Sequence, residues 1–222
     1  MCAAQARVQP DPPAEPPVDA AGVQAALGAS DAQMADLEAF RLALLEWNEQ
    51  MNLVGPSALA EFWGRHVYDS AQLLVLSPDT KIWADLGAGA GFPGLVLAIL
   101  LKGEPGAQVH LVESMAKRCR FLSAVVEVLA LPAQVHNARA EELKIKVEVV
   151  TARACAPLVK LLGYARPYLE RGAVGLFLKG QDVVSELTEA TIYWKFEAHM
   201  TKSLSHPDGR VLQVKGLSRV KV

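Results

Sequence analysis

The chain has 222 residues, 51% of them apolar, and a formal net charge of −2. That is enough for one good hydrophobic core with at most a small appendage. It excludes a global basic field, so any nucleic-acid binding must rest on a local patch.

Cys2, Cys119 and Cys155 are scattered, odd in number and outside any C-x-x-C, which points to free thiols in a reducing compartment. No histidine stands at ligand spacing with them, so no metal is expected. The first residues carry no secretory pattern, and the longest apolar run, Leu95–Leu101, stops at Lys102, far short of a bilayer span. These features predict a cytoplasmic protein with no membrane partner, taken here as a monomer.

Residues 1–29 are rich in Pro and Ala without periodicity and read as a flexible tail. Ser30-Asp31-Ala32-Gln33 is a capping box. It opens a helix with Leu37, Phe40, Leu44, Trp47 and Met51 at three- and four-residue spacing, ended by Asn52 and Gly55-Pro56. Ser57–Leu76 reads as a second helical segment stopped at Pro78. Residues 30–78 therefore form an N-terminal helical extension, a lid or docking appendage on the domain of residues 79–222.

That domain opens with the stretch on which the rest depends, Ile82-Trp83-Ala84-Asp85-Leu86-Gly87-Ala88-Gly89-Ala90-Gly91-Phe92-Pro93-Gly94. An apolar strand carrying an acid breaks into four glycines, and Leu95–Leu101 follows as a helix. In a doubly wound sheet this turn lies at the carboxyl end of a strand, where a nucleotide-type cofactor sits. Strands at Val109–Val112, Ala133–His136, Val147–Val150 and Ala173–Leu178 alternate with helices at Met115–Leu129, Leu158–Leu169 and Val183–Ile192. That alternation means a mostly parallel, Rossmann-like α/β sheet. Two late strands, around Phe196–Leu204 and Val211–Val214, are joined by His206-Pro207-Asp208-Gly209 as a hairpin, with the last strand expected antiparallel at one edge.

The cofactor admits two readings. Gly89, Gly91 and Gly94 satisfy G-x-G-x-x-G with Glu113 about 20 residues on, the fingerprint of a dinucleotide; an NAD(P)-dependent oxidoreductase is the corresponding function. Asp85 before the first glycine suits instead a cationic centre, such as the amino-acid end of S-adenosylmethionine. A third reading is a non-catalytic RNA-binding module.

Several elements together resemble the bacterial small-subunit ribosomal RNA guanine-N7 methyltransferases, also called glucose-inhibited division protein B. They are Leu45-Glu46-Trp47-Asn48 with Asn52-Leu53, Arg65-His66 with Asp69-Ser70, and Asp85 through Gly94. Further on come Glu113-Ser114 with Lys117-Arg118 and Phe121-Leu122, then Arg139-Ala140-Glu141, Arg153-Ala154 and Lys179-Gly180. Ala88 and Ala152 depart from the hydroxyl residues common there. The resemblance implies a class I methyltransferase sheet, S-adenosylmethionine as cofactor, and a guanine in the decoding-region loop of 16S rRNA as acceptor.

It places cofactor contacts on Gly87, Phe92, Ala140, Glu141 and Arg153. The residues themselves add Asp85, Gly89, Gly91 and Glu113, the last as a ribose-hydroxyl acceptor. Asp85 faces the methionine ammonium or stabilises the turn. Arg153 holds the cofactor carboxylate or an RNA phosphate, and Lys179 is a second positioning candidate. Arg65, His66, Lys117, Arg118 and Lys179 are RNA-binding candidates. His66 and Asp69, three apart on one helix face, couple the extension to the site or pair with each other. Guanine N7 has a lone pair and no proton, so no catalytic base is expected.

Overall fold

A computed structural model describes residues 16–220; residues 1–15 of the expected tail, Cys2 among them, lie outside these. Seven strands form one sheet: β1 (Ile82–Leu86), β2 (Gln108–Glu113), β3 (Ala133–Asn137), β4 (Val149–Arg153), β5 (Val174–Lys179), β6 (Trp194–Lys202) and β7 (Arg210–Arg219). The helices are α1 (Ala20–Leu27), α2 (Asp31–Met51), α3 (Pro56–Ala60), α4 (Asp69–Leu76), α5 (Gly94–Leu100), α6 (Ala116–Val128), α7 (Leu158–Leu169) and α8 (Val183–Tyr193), with a π-helical turn at Phe62–Tyr68. None of the described helices is long and apolar enough to cross a membrane.

The sheet order is β3-β2-β1-β4-β5-β7-β6. β1 to β5 run parallel, as the alternation of elements predicts. The hairpin differs from expectation: β7 lies between β5 and β6, antiparallel to both, and β6 forms the edge. Burial explains the order. β7 carries buried Val211, Leu212, Val214 and Leu217, whereas most of β6 is exposed, so the apolar strand takes the inner position.

Along β1 the side chains alternate between two cores. Trp83 belongs to the core beneath α2, α5 and α6, while Ala84 and Leu86 belong to the core under α7. The N-terminal helices are not a separate appendage. Phe40 of α2 lies 5.2 Å from the Phe92 ring of the glycine turn, 5.6 Å from Phe62 and 6.4 Å from Phe121 of α6. Val23, Leu37, Phe40, Leu44 and Phe62 share one buried cluster with Trp83 and Leu95. Gln33, having closed the capping box, also donates from Nε2 to Leu100 O of α5 at 2.9 Å.

Two other segments depart from the sequence reading. Residues 20–27, expected within the tail, form α1, because Asp19 accepts from Gly22 N, Gly28 closes the helix in the left-handed region, and Val23 is buried. The expected single helix over 57–76 is broken by the π-helical turn, against which the backbone of Pro17 packs at Gly64. Asp69 N–H bonds His66 O there, and Arg65 O accepts from Arg153 Nη1 at 3.0 Å.

Because one core unites helices and sheet, Phe40→Ala is expected to lower stability by about 3–5 kcal/mol and to shift one cooperative thermal transition. A two-step melt with the sheet's transition unmoved would contradict this.

Candidate functional site

Chain order reverses between β1 and β4, and their carboxyl ends open the crevice where ligands of this architecture sit. Asp85, fully buried in β1, governs the turn that follows. Its Oδ2 accepts from Gly94 N, the first residue of α5, at 2.8 Å, while Oδ1 has no hydrogen-bond partner among the described residues. A Cβ on Gly94 would lie 2.7 Å from Asp85 Oδ2 and would also strike Leu111, so this glycine is required by the chain's own packing. Gly87 is similar: its φ is +71°, and a Cβ there would stand 2.6 Å from Cys155 Sγ. Gly91 continues the turn, with its N–H on Ala88 O and its carbonyl accepting from Leu95 N.

Glu113, at the end of β2, is buried and holds the turn from the other side. Oε2 accepts from Gly89 N at 3.0 Å and Oε1 from Met115 N at 2.8 Å. Each oxygen keeps a further lone pair for a ligand hydroxyl. Glu113 fronts a cleft of about 250 Å³ that also receives Gly87, Arg118, Ala140, Glu141, Ala154 and Cys155. Arg118 Nη1 stands 3.8 Å from Glu113, and Ala140 O is taken by Tyr168 Oη at 2.8 Å. Burial first, then Asp85 and other carboxylates, push the Cys155 thiol up to about 11, so it stays protonated at neutral pH.

A larger cavity of about 500 Å³ opens on the other side of Ala154, which borders both. Arg65, His66, Asp69, Arg153 and Lys179 face it, opposite the turn between β6 and β7. Arg153 is held on several sides. Nη1 donates to Arg65 O, Nη2 meets His66 Nδ1, Asp69 Oδ2 is 3.7 Å away, and the guanidinium lies 5.3 Å over the Phe92 ring. The His66 ring stacks on the same Phe92 at 4.7 Å. Lys179 Nζ pairs with Glu186 at 2.6 Å, and the same Glu186 oxygen accepts from Leu158 N.

The structure thus divides the residues singled out in the sequence. Gly87, Glu113, Arg118, Ala140 and Glu141 come together in the smaller cleft; Arg65, His66, Arg153 and Lys179 line the larger cavity. Phe92 lies in neither lining, being buried between Phe40, Phe62 and His66. Lys117 reaches instead toward Gln50 O. Motif spacing did not single out Glu186, Ser203, Ser205 or Cys155, whose roles arise from contacts made across distant segments. Among the described residues no cluster of three or more His, Cys, Asp or Glu is placed to hold a metal.

Burial pushes the Asp85 carboxyl from 3.8 up to about 7, outweighing the Gly94 hydrogen bond and the attraction of Arg153. The folded chain therefore keeps a proton that the unfolded chain loses, so this stabilisation is full below about pH 4 and is lost as pH rises through about 7. Relative to wild type, Asp85→Asn is expected to gain stability with rising pH between about 5 and 6.5, on the order of 1 kcal/mol per unit. Parallel denaturation profiles for the two proteins would contradict it.

A family model described as rRNA small subunit methyltransferase G matches residues 33–217. The protein named ribosomal RNA small subunit methyltransferase G from Caulobacter vibrioides (strain NA1000 / CB15N) is 65% identical over 204 residues, covering 92% of this chain and 94% of its own. The protein of the same name from Bradyrhizobium sp. (strain BTAi1) is 48% identical over 187 residues, covering 82% and 84%. Among solved structures, a putative O-methyltransferase from Klebsiella pneumoniae matches with a TM-score of 0.56 at 12% identity, covering 87% of this chain and 94% of that one. A SAM dependent methyltransferase from Aquifex aeolicus matches at 0.54 with 14% identity, covering 76% and 97%. These two establish the fold, a methyltransferase-type mixed sheet, and the sequence matches establish the lineage: the chain belongs to the rRNA small subunit methyltransferase G family.

Proposed function

We propose that this protein transfers a methyl group from S-adenosylmethionine to N7 of a guanine in the decoding-region loop of bacterial 16S rRNA, as a monomer in the cytoplasm. The family match over residues 33–217, within which most of both cavities' linings fall, carries the reading. In this assignment the smaller cleft takes the cofactor and the larger cavity takes the RNA nucleotide, with Ala154 at the boundary.

The residues of the cleft fit that cofactor. Glu113 offers lone pairs to ribose hydroxyls, while Asp85, fully buried and outside both linings, serves the turn through Gly94 N. Backbone groups at Ala140 and Glu141 border the adenine side. S-adenosylmethionine supplies, when bound, an electrophilic methyl on a sulfonium. The protein's part is to hold the base against it. Orientation supplies up to roughly 7–11 kcal/mol, against a few for extruding the base from its stack. N7 brings its own lone pair, so no side chain has to remove a proton. Exposed Arg65 and half-buried Arg118 offer charge to the RNA backbone.

The nicotinamide reading has an obstacle in the turn itself. A dinucleotide's pyrophosphate needs the helix N-terminus after the first strand. Here Gly94 N is already bound by the Asp85 carboxylate, and Leu95 N by Gly91 O.

Glu113→Gln keeps the shape of the cleft but weakens charge-assisted acceptance. It is expected to raise the S-adenosylmethionine Kd by about tenfold, measured by calorimetry; an unchanged Kd would remove Glu113 from the cofactor site. The function is tested with labelled methyl, undermethylated bacterial small subunits, and chemical cleavage at 7-methylguanine. One new cleavage in the decoding-region loop is expected. Arg153→Ala should remain folded and lose most turnover; label without cleavage would discard N7 as the acceptor.

A further inference from the structure

One carboxylate at the first residue of α4 ties together the two walls of the larger cavity. Asp69 Oδ1 accepts from Ser205 Oγ at 2.6 Å, Ser203 Oγ at 2.9 Å and Gln72 Nε2 at 2.7 Å. Its other oxygen stands 3.7 Å from Arg153 Nη1. Gln72, one turn further along α4, accepts from Leu204 N at 3.0 Å, and Ser203 N closes the turn on Gly209 O. The turn joining β6 to β7 is thus pinned at Ser203, Leu204 and Ser205 to α4, and α4 is charge-paired with the end of β4.

A carboxylate this well supplied with donors is held in one geometry, since moving either wall would leave desolvated polar groups unmatched. Its Oδ1 is committed to three protein donors, its Oδ2 faces Arg153, and N7 transfer needs no base, so Asp69 has no work to do on the reacting atoms. None of these residues borders the smaller cleft. The arrangement also matches the two lysine and arginine charges set deepest in this cavity, Arg153 with Asp69 and Lys179 with Glu186. Where these two pairs stand the wall suits a neutral polar base better than a phosphate. Arg210, bonded to the carbonyls of Pro207 and Gly209, lines the same cavity without a carboxylate partner among the described residues.

We propose that Asp69 is a positioning residue for the methyl acceptor. It fixes the 203–205 segment and Arg153 relative to each other, so that the larger cavity presents a nucleobase to the boundary at Ala154. The inference rests on the assignment of this cavity to the RNA nucleotide.

The test compares wild type, Asp69→Asn and Ser205→Ala in methyl transfer to undermethylated small subunits, with S-adenosylmethionine Kd and melting temperature measured alongside. Asp69→Asn keeps an acceptor for the serines and removes the charge facing Arg153. Its kcat is expected to fall by about 10- to 100-fold, with KM for subunits and cofactor Kd each within about threefold of wild type. Ser205→Ala, which keeps the charge pair, is expected to lose about three- to tenfold in kcat. Wild-type kcat in Asp69→Asn overturns the proposal. So does a parallel fall in kcat, cofactor affinity and melting temperature, which a purely structural role would give. Should Asp69→Asn fail to fold, Ser205→Ala decides, and an unchanged kcat there is negative. A wild-type protein that transfers no methyl would instead fail the functional reading, and the cavity's assignment with it.

Discussion

A carboxylate with no access to water, set at the end of the central strand, is the constraint on which the site depends. Asp85 can sit there because the first amide of α5 comes to meet it, and that amide reaches it only because residue 94 has no side chain. The turn between β1 and α5 is drawn tight by this bond and by Glu113 from the neighbouring strand. The first amide of that helix, which would otherwise be open to an anion, is thereby occupied by the chain's own carboxyl group. The same bond that shapes the turn takes that amide out of reach of any other acceptor.

The turn is held from outside as well as from within. Phe92, at its tip, is packed by Phe40 and Phe62 from the N-terminal helices and by the ring of His66. The face of the same ring carries the Arg153 guanidinium. Glycine turn, helical layer and the end of β4 are therefore joined through one aromatic side chain. A buried aromatic of this kind contributes through area and ring geometry together. The N-terminal helices do more than cover the sheet, because they set the position of the strand-end residues.

Charge is distributed differently in the two cavities. The smaller one is bounded by two carboxylates, Glu113 and Glu141, standing 3.8 and 3.9 Å from Arg118 and Arg139, and their remaining lone pairs suit hydroxyls. In the larger one Arg153 faces Asp69, Lys179 faces Glu186 and exposed Arg65 stands 3.8 Å from Glu61, while Arg210 bonds backbone carbonyls. With a net charge of −2, affinity for a polyanion must come from such local groups.

The parallel sheet, the glycine turn, the capped helix from Asp31 and the family to which the chain belongs were legible in the order of residues alone. These rest on local signals: apolar alternation, glycine spacing, a capping box and contiguous motifs. The rest came from tertiary packing. It placed β7 inside β6 because burial, not chain order, chooses the inner strand. It made a helix of residues 20–27, where composition suggested a tail, because Val23 had a core to enter. It showed that Gly87 and Gly94 also make room for Cys155, Leu111 and Asp85. It also separated Arg153 and Lys179 from Glu113 and Glu141, placing them in different cavities. Contacts such as Asp69 with Ser205 span more than a hundred residues, and no periodicity or motif encodes a meeting that depends on how the whole sheet closes.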